Sequence, residues 1–230
     1  EWPGVLQLWG GNMQCVIFGG SGGLGKVLTK ELQKKYEVIS LSSKDVDITD
    51  RQQVEEFFSK NPADIVINLS VFNHDAFAHK VDHSMVQKQV NVNVLGAVNI
   101  VSCALPHMRQ NQFGRIIMMS SVLADSPVVS TGIYAGSKGF VESYAKCIAL
   151  ENSSKGITCN CIQLGYFDAG LTYRIPEKFR EGIVKTIPMK RLGTGKELAL
   201  TTNYLIENGY VTGTSIKING SLSVWVANVH

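Results

Sequence analysis

The chain has 230 residues, room for one domain with a full core and tight for two. Hydrophobic residues make up 44% and charged residues 18%, which excludes a disordered polar chain. A net charge of +3 without a Lys/Arg cluster gives no nucleic-acid footprint, and no apolar run approaches the ~20 residues of a membrane helix, so neither partner is expected. Cys15, Cys103, Cys147, Cys159 and Cys161 are odd in number and form no CxxC pair, which predicts reduced thiols in a cytoplasmic protein. The Trp- and Gly-rich residues 1–12 lack the basic start and cleavage site of a signal peptide. They read as an N-terminal extension or a cloning remnant ahead of Met13, with one domain over 13–230.

From Met13 the pattern alternates. Strand-like apolar runs are expected at Gln14–Phe18, Glu37–Leu41, Asp64–Leu69, Arg115–Ser120, Thr158–Gln163 and Thr214–Ile218. Helical spacing falls between them at Leu24–Lys35, Asp50–Lys60, Val81–Gln110, Ile133–Glu151 and Gly195–Glu207. Short strands alternating with longer helices predict an α/β fold: a single Rossmann-type, doubly wound parallel sheet with helices on both faces. Ala169–Pro188, with two prolines and mixed charge, interrupts the alternation. It reads either as a mobile substrate lid over the sheet edge or as a solvated helical excursion.

The first strand runs into Phe18-Gly19-Gly20-Ser21-Gly22-Gly23-Leu24-Gly25, and a helix follows at once. Backbone N–H groups in such a turn can approach a diphosphate because no Cβ blocks them, although any tight strand-to-helix turn favours glycine. Downstream, Asp47 could accept from an adenine amino group beside Ile48, while Asp50 or Thr49 caps a helix. The second strand ends in Leu41-Ser42-Ser43-Lys44, where hydroxyls and a cation suit a 2′-phosphate, with Asp45 opposing. NADP(H) is therefore favoured over NAD.

Ser121 closes the fourth strand at the rim where open α/β sheets bind ligands, and Tyr134-Ala135-Gly136-Ser137-Lys138 opens a long helix. Residues four apart share a helix face, so Tyr134 and Lys138 are neighbours. An ammonium beside a phenol should lower its pKa and make Tyr134 an acid–base at neutral pH. Ser121 could then hold a substrate carbonyl beside the phenol. His74, His79 and His83 lack metal-site spacing, and no metal is expected.

From Met13 to about Ser221 these motifs resemble the short-chain dehydrogenases/reductases. Gly19, Gly23 and Gly25 match the family's glycine motif, Asn93 its helix asparagine, and Ser121, Tyr134 and Lys138 its catalytic set. Ile187–Gly193, Thr212-Gly213 and Asn219-Gly220 match its tail, and the second half is most similar to the 3-oxoacyl-carrier-protein reductases. The resemblance implies hydride transfer from a nicotinamide to a carbonyl carbon. Tyr134 would give the proton, Ser121 would stabilise the oxygen, and Lys138 would hold the ribose. Asn93 would link Lys138 to solvent through water. It further implies cofactor contacts along Gly19, Ser21, Gly22, Gly23, Leu24 and Gly25, at Ser42, Ser43, Lys44, Asp47 and Ile48, at Asn68, Leu69 and Ser70, and at Gly165 and Phe167. The apolar helices Asn93–Met108 and Ile133–Leu150 fit either the interface of a homodimer or homotetramer, as in similar proteins, or simply the core.

Departures from the pattern are Phe18 for a threonine, Asn68-Leu69-Ser70-Val71 for Asn-Asn-Ala-Gly, Leu164-Gly165 for Pro-Gly, and Ala169 for a threonine whose place Asp168 could take. No room remains between Leu41 and Asp47 for the usual helix, and Asp45–Asp50 with Asp64–Asn68 resemble nucleotide-sugar reductases of the same superfamily. The expected activity is NADP-dependent reduction of a ketone, 3-oxoacyl and carrier-bound among the candidates. The alternatives are a sugar or polyol dehydrogenase and a nucleotide-binding relative without turnover. Arg174, Lys178 and Arg180 could meet an anionic substrate handle or be a solvated face.

Overall fold

A computed structural model describes residues 13–223, the side chain of Arg174 excepted, so the extension over 1–12 and the expected role of Arg174 lie outside the described residues. Six parallel strands form one sheet: β1 (Gln14–Phe18), β2 (Glu37–Leu41), β3 (Ile65–Asn68), β4 (Gly114–Ser121), β5 (Ile157–Leu164) and β6 (Ser215–Ile218), in the order β2-β1-β3-β4-β5-β6. The central strands are buried along their length, which is why they read as continuous apolar runs rather than alternating ones.

Helices α1 (Gly23–Leu32), α2 (Arg51–Lys60), α3 (His83–Val90), α4 (Gly96–Asn111), α5 (Gly132–Asn152), α6 (Glu177–Thr186) and α7 (Gly195–Glu207) supply the layers. Side chains alternate along each strand, so Ile116 and Met118 face the α2–α4–α5 side while Ile117 and Met119 face α1 and α7. Phe18, read as a departure, sits in the first of these cores against Phe57 and Phe58, with ring centroids 6.0 and 5.9 Å away. Such aromatic pairs are worth about 0.5–1.5 kcal/mol each beyond their area, so packing accounts for the residue.

β1, β2 and α7 have the expected bounds, and Asp50 caps α2 by accepting from the N–H groups of Gln52 and Gln53. One prediction is corrected in detail. The helix expected over 81–110 begins at the Asp82 cap and is broken by a π turn at Asn91–Leu95, where the Gly96 N–H reaches back to the Asn91 carbonyl. Running on through that turn, the helical stretch His83–Asn111 is long and apolar enough to cross a membrane, contrary to the expectation that nothing reaches this length. Here its Ala97, Ile100, Val101, Ala104 and Met108 are buried against the sheet. The excursion over 169–188 resolves into a 3₁₀ turn at Gly170–Arg174 followed by α6.

After β1 the chain moves outward to β2 and then returns to β3 on the other side, so the strand order reverses between β1 and β3. In open α/β sheets, ligands bind in the crevice beyond the carboxyl ends of the strands at such a point.

Candidate active site

The glycine turn lies at that crevice. Gly19 has φ +79°, and a Cβ there would stand 2.8 Å from the Leu69 carbonyl carbon, so only glycine fits. A Cβ on Gly25 would meet the Gly19 carbonyl oxygen at 2.4 Å, and its absence lets α1 start directly under the turn. No side chain caps α1, which leaves its first N–H groups and the positive end of its dipole facing the crevice. A cavity of about 610 Å³ opens there, a size usual for cofactor sites, lined at this end by Gly19 and by Ser21 through Gly25.

At the outer end the cavity wall is Ser42, Ser43, Val46, Asp47, Ile48 and Val92. Ile48 is fixed by Asn99, whose amide donates to the Ile48 carbonyl at 2.9 Å. Two expectations need correcting. Lys44 is exposed and off the cavity wall, its backbone N–H donating to Ser42 Oγ at 3.2 Å. Ser42 is engaged by Asp45 instead, which accepts from Ser42 N at 2.8 Å and Ser42 Oγ at 2.6 Å; these bonds hold the Asp45 carboxyl below its usual range. Asp47 Oδ1 already accepts from the N–H and hydroxyl of Thr49.

At the inner end, Leu69, Ser70, Val71 and Phe72 line the cavity, but Asn68 does not: it is buried and accepts from Ser70 N at 2.9 Å. Ser121 ends β4, its hydroxyl accepting from Leu123 N at 3.2 Å, and lines the cavity together with Tyr134 of α5. Lys138, one turn on, places Nζ 5.7 Å from the Tyr134 ring centroid and donates to the Met119 carbonyl at 2.8 Å. Both side chains are buried, Tyr134 at 8% and Lys138 at 4% exposure.

Burial decides their protonation. It pushes the Tyr134 phenol up to about 12, with the Ser121 hydrogen bond opposing and the Asp75 charge adding, and it pushes the Lys138 ammonium down to about 8. The expected lowering of Tyr134 by Lys138 is thus reversed: desolvation of a phenolate is the largest effect on Tyr134, and the Lys138 ammonium points to Met119. Asn93 is likewise not on the cavity wall. Its Oδ1 accepts from Phe72 N and its Nδ2 donates to Phe72 O, each at 2.8 Å, and to Ser137 Oγ at 3.2 Å. Ser137 Oγ in turn donates to the Tyr134 carbonyl, so the Asn93 side chain braces the loop and α5.

Gly165, Phe167 and the stem of the excursion, Ala169 through Thr172, close the remaining side. Thr172 went unnoticed in the sequence because it lies three residues beyond the position where a threonine was sought; the 3₁₀ turn brings it inward, buried, with its hydroxyl accepting from Phe167 N at 3.3 Å. Asp168, the expected substitute, accepts from the Tyr173 hydroxyl instead. Arg180 stacks over Tyr173 at 4.6 Å and Lys178 over Phe179 at 4.9 Å, so both cations lie on rings of their own segment.

A cavity that begins at an uncapped helix N-terminus and ends at a buried, protonated phenol accommodates a dinucleotide along its length and a proton donor at its end, the layout of a Rossmann-type oxidoreductase. A family model described as enoyl-(acyl carrier protein) reductase matches residues 16–223, and the chain belongs to the short-chain dehydrogenase/reductase family, a family of oxidoreductases. It is 26% identical over 227 residues to the 3-oxoacyl-[acyl-carrier-protein] reductase MabA of Mycobacterium bovis, covering 91% of this chain and 92% of that one. With the acetoacetyl-CoA reductase of Shinella zoogloeoides it shares 33% identity over 162 residues, 69% of this chain and 67% of that protein. The solved structure of ElxO with NADP bound superposes with a TM-score of 0.86 at 23% identity, over 94% of this chain and 100% of that one.

Proposed function

We propose that the protein is an NADPH-dependent ketone reductase acting on a 3-oxoacyl thioester, with Tyr134 as the acid. The observation that carries this reading is the buried Tyr134 phenol, with Ser121 and Lys138 beside it on the wall at the inner end of a cavity that starts on the glycine turn. MabA and the acetoacetyl-CoA reductase, similar over most of the chain, support the substrate class. NADP is preferred because the hydroxyls of Ser42 and Ser43, just beyond β2, line the cavity, and the Asp45 carboxylate bonded to Ser42 tempers that preference.

The residues present fit a dinucleotide: the cradle at Gly19 and Gly25 is one a Cβ would fill, and the α1 N-terminus faces the place for a diphosphate. When bound, NADPH supplies the hydride. Ser121 and Tyr134 orient the substrate carbonyl by hydrogen bonds to its oxygen. A phenol with a pKa near 12 holds its proton at neutral pH, so Tyr134 is ready to donate it as the alkoxide develops. The phenolate left behind is the species that the adjacent Lys138 ammonium stabilises. Asn93 acts by keeping Phe72 and Ser137 in register with Tyr134. Exposed Leu95 in the π turn and Ile133, Phe140 and Leu150 on α5 support a homodimer or homotetramer.

The test is reduction of acetoacetyl-CoA followed by NADPH consumption, with wild type and Tyr134→Phe. Wild type should turn over, and the variant should lose roughly 10²–10⁴-fold in kcat while binding NADPH as before. Equal turnover in the variant would remove Tyr134 from the chemistry.

A further inference from the structure

Beside the cavity wall, one buried amide joins the two segments that carry the reacting groups. Gln163 is fully buried on β5, next to the wall residue Leu164. Its Nε2 donates to Asp125 Oδ2 at 3.0 Å and to Glu142 Oε1 at 3.3 Å. The two acceptors belong to different halves of the site. Ser121 opens a 3₁₀ turn at Val122–Ala124, accepting from Leu123 N, and Asp125 closes that turn with its N–H on the Val122 carbonyl. Glu142 follows Tyr134 and Lys138 at four-residue steps, on the same face of α5. Holding Asp125 and Glu142 on one nitrogen therefore fixes the Ser121 turn against the Tyr134 face of the helix.

Charge sets the orientation of the amide. Two carboxylates accept at one end, so Nε2 faces them and Oε1 points away. Asp125 Oδ2 also receives Lys217 Nζ at 2.6 Å, from the residue that pairs with Gln163 in the neighbouring strand β6. Oε1 is left buried without a donor among the described residues, and so is the hydroxyl of Ser120, the register partner of Gln163 on β4. An unmet acceptor in the core costs stability, and a methionine of the same length would carry no such cost. Neither carboxylate depends on the amide for solvation, since Asp125 is exposed and Glu142 half-buried. What the amide adds is the link between the two segments.

We propose that Gln163 is a positioning residue for the reduction: its amide holds the Ser121 hydroxyl and the Tyr134 phenol at the separation at which both reach one carbonyl oxygen. The inference rests on the reductase reading above and adds to it a residue that touches neither substrate nor cofactor. A displacement of about 1 Å between such groups costs on the order of 10²-fold in rate. The glycine turn has no part in these hydrogen bonds, so cofactor affinity is independent of them.

The experiment measures acetoacetyl-CoA reduction, calorimetric titration with NADPH and thermal unfolding for wild type, Gln163→Met and Gln163→Glu. Gln163→Met should lose roughly 10–100-fold in kcat, with unchanged NADPH affinity and a Tm no lower than that of wild type. In Gln163→Glu a carboxyl meets the Asp125 and Glu142 carboxylates directly, with Cys161, Lys138, Lys146 and Lys217 as the other ionisable groups on the elements around it. Burial and like charge hold its proton, so at low pH its O–H replaces the amide donor. The kcat of this variant relative to wild type should therefore be highest at low pH and fall as the carboxyl ionises, a dependence that a packing defect does not produce. Three results would overturn the positioning role and leave the reductase reading standing: a Gln163→Met kcat equal to wild type, a loss of kcat matched by losses of NADPH affinity and Tm, or a Gln163→Glu ratio flat in pH. No reduction by wild type would overturn that reading and this inference with it.

Discussion

Replacing Lys138 by methionine should make the ligand-free protein more stable at pH 7 while abolishing its activity. Burial holds the Lys138 ammonium at about 8 against an ordinary value of 10.5. The folded protein therefore binds that proton less tightly than the unfolded chain does, by about 3 kcal/mol. Below pH 8 the lysine is charged in both states and the full cost is present. Between pH 8 and 10.5 the unfolded chain holds more protons than the folded one, so stability rises with pH and the cost fades. Methionine keeps the length and apolar stem but cannot donate to the Met119 carbonyl, and leaving that oxygen unpaired costs about 1 kcal/mol. The net gain at pH 7 is about 2 kcal/mol, or roughly 4–8 °C in Tm for a chain of this size. Thermal and urea unfolding of both proteins at pH 7 and pH 10 measure it. The gap should nearly close at pH 10. A variant less stable than wild type at pH 7, or a gap independent of pH, would refute the argument that Lys138 is a buried charge kept for function.

Gly25→Ala forces a Cβ to within 2.4 Å of the Gly19 oxygen and 2.6 Å of Gly20 Cα, so the turn must open; calorimetric titration should show NADPH binding lost, and unfolding a cost of roughly 1–3 kcal/mol. Gly136→Ala, with nothing within 4 Å of the new methyl on an exposed helical position, is the control and should be stabilising by about 0.5–1 kcal/mol. Asp45→Asn keeps the side chain's shape on Ser42 but removes the charge bonded to that residue of the cavity wall, and should improve NADPH affinity relative to NADH by roughly tenfold. Lys44→Ala, at a residue off the cavity wall, should change that ratio far less; a larger effect at Lys44 than at Asp45 would reverse the assignment.

The sequence alone determined the layers and the ends of the site. Alternating strand runs and helical spacings imposed a parallel sheet, because strands buried on both faces must be continuously apolar and their crossovers must be helical. The glycine turn was legible for a similar reason: at Gly19 and Gly25 backbone crowding admits no other residue. Tyr134 and Lys138 were legible because helical periodicity is local. What depended on contacts distant in sequence was decided only by the tertiary structure. Asn93 was legible only as a member of a proton relay; that its side chain also braces Phe72 against Ser137 is a contact between distant parts of the chain. Lys44 looked like the phosphate reader, but the turn handed Ser42 to Asp45. Thr172 reaches the cavity through a 3₁₀ turn that no periodicity signals. The protonation of the pair was also beyond the sequence. Spacing announces that a phenol and an ammonium are neighbours, but the sign of the shift depends on how much water each retains, and that is a property of the packed core.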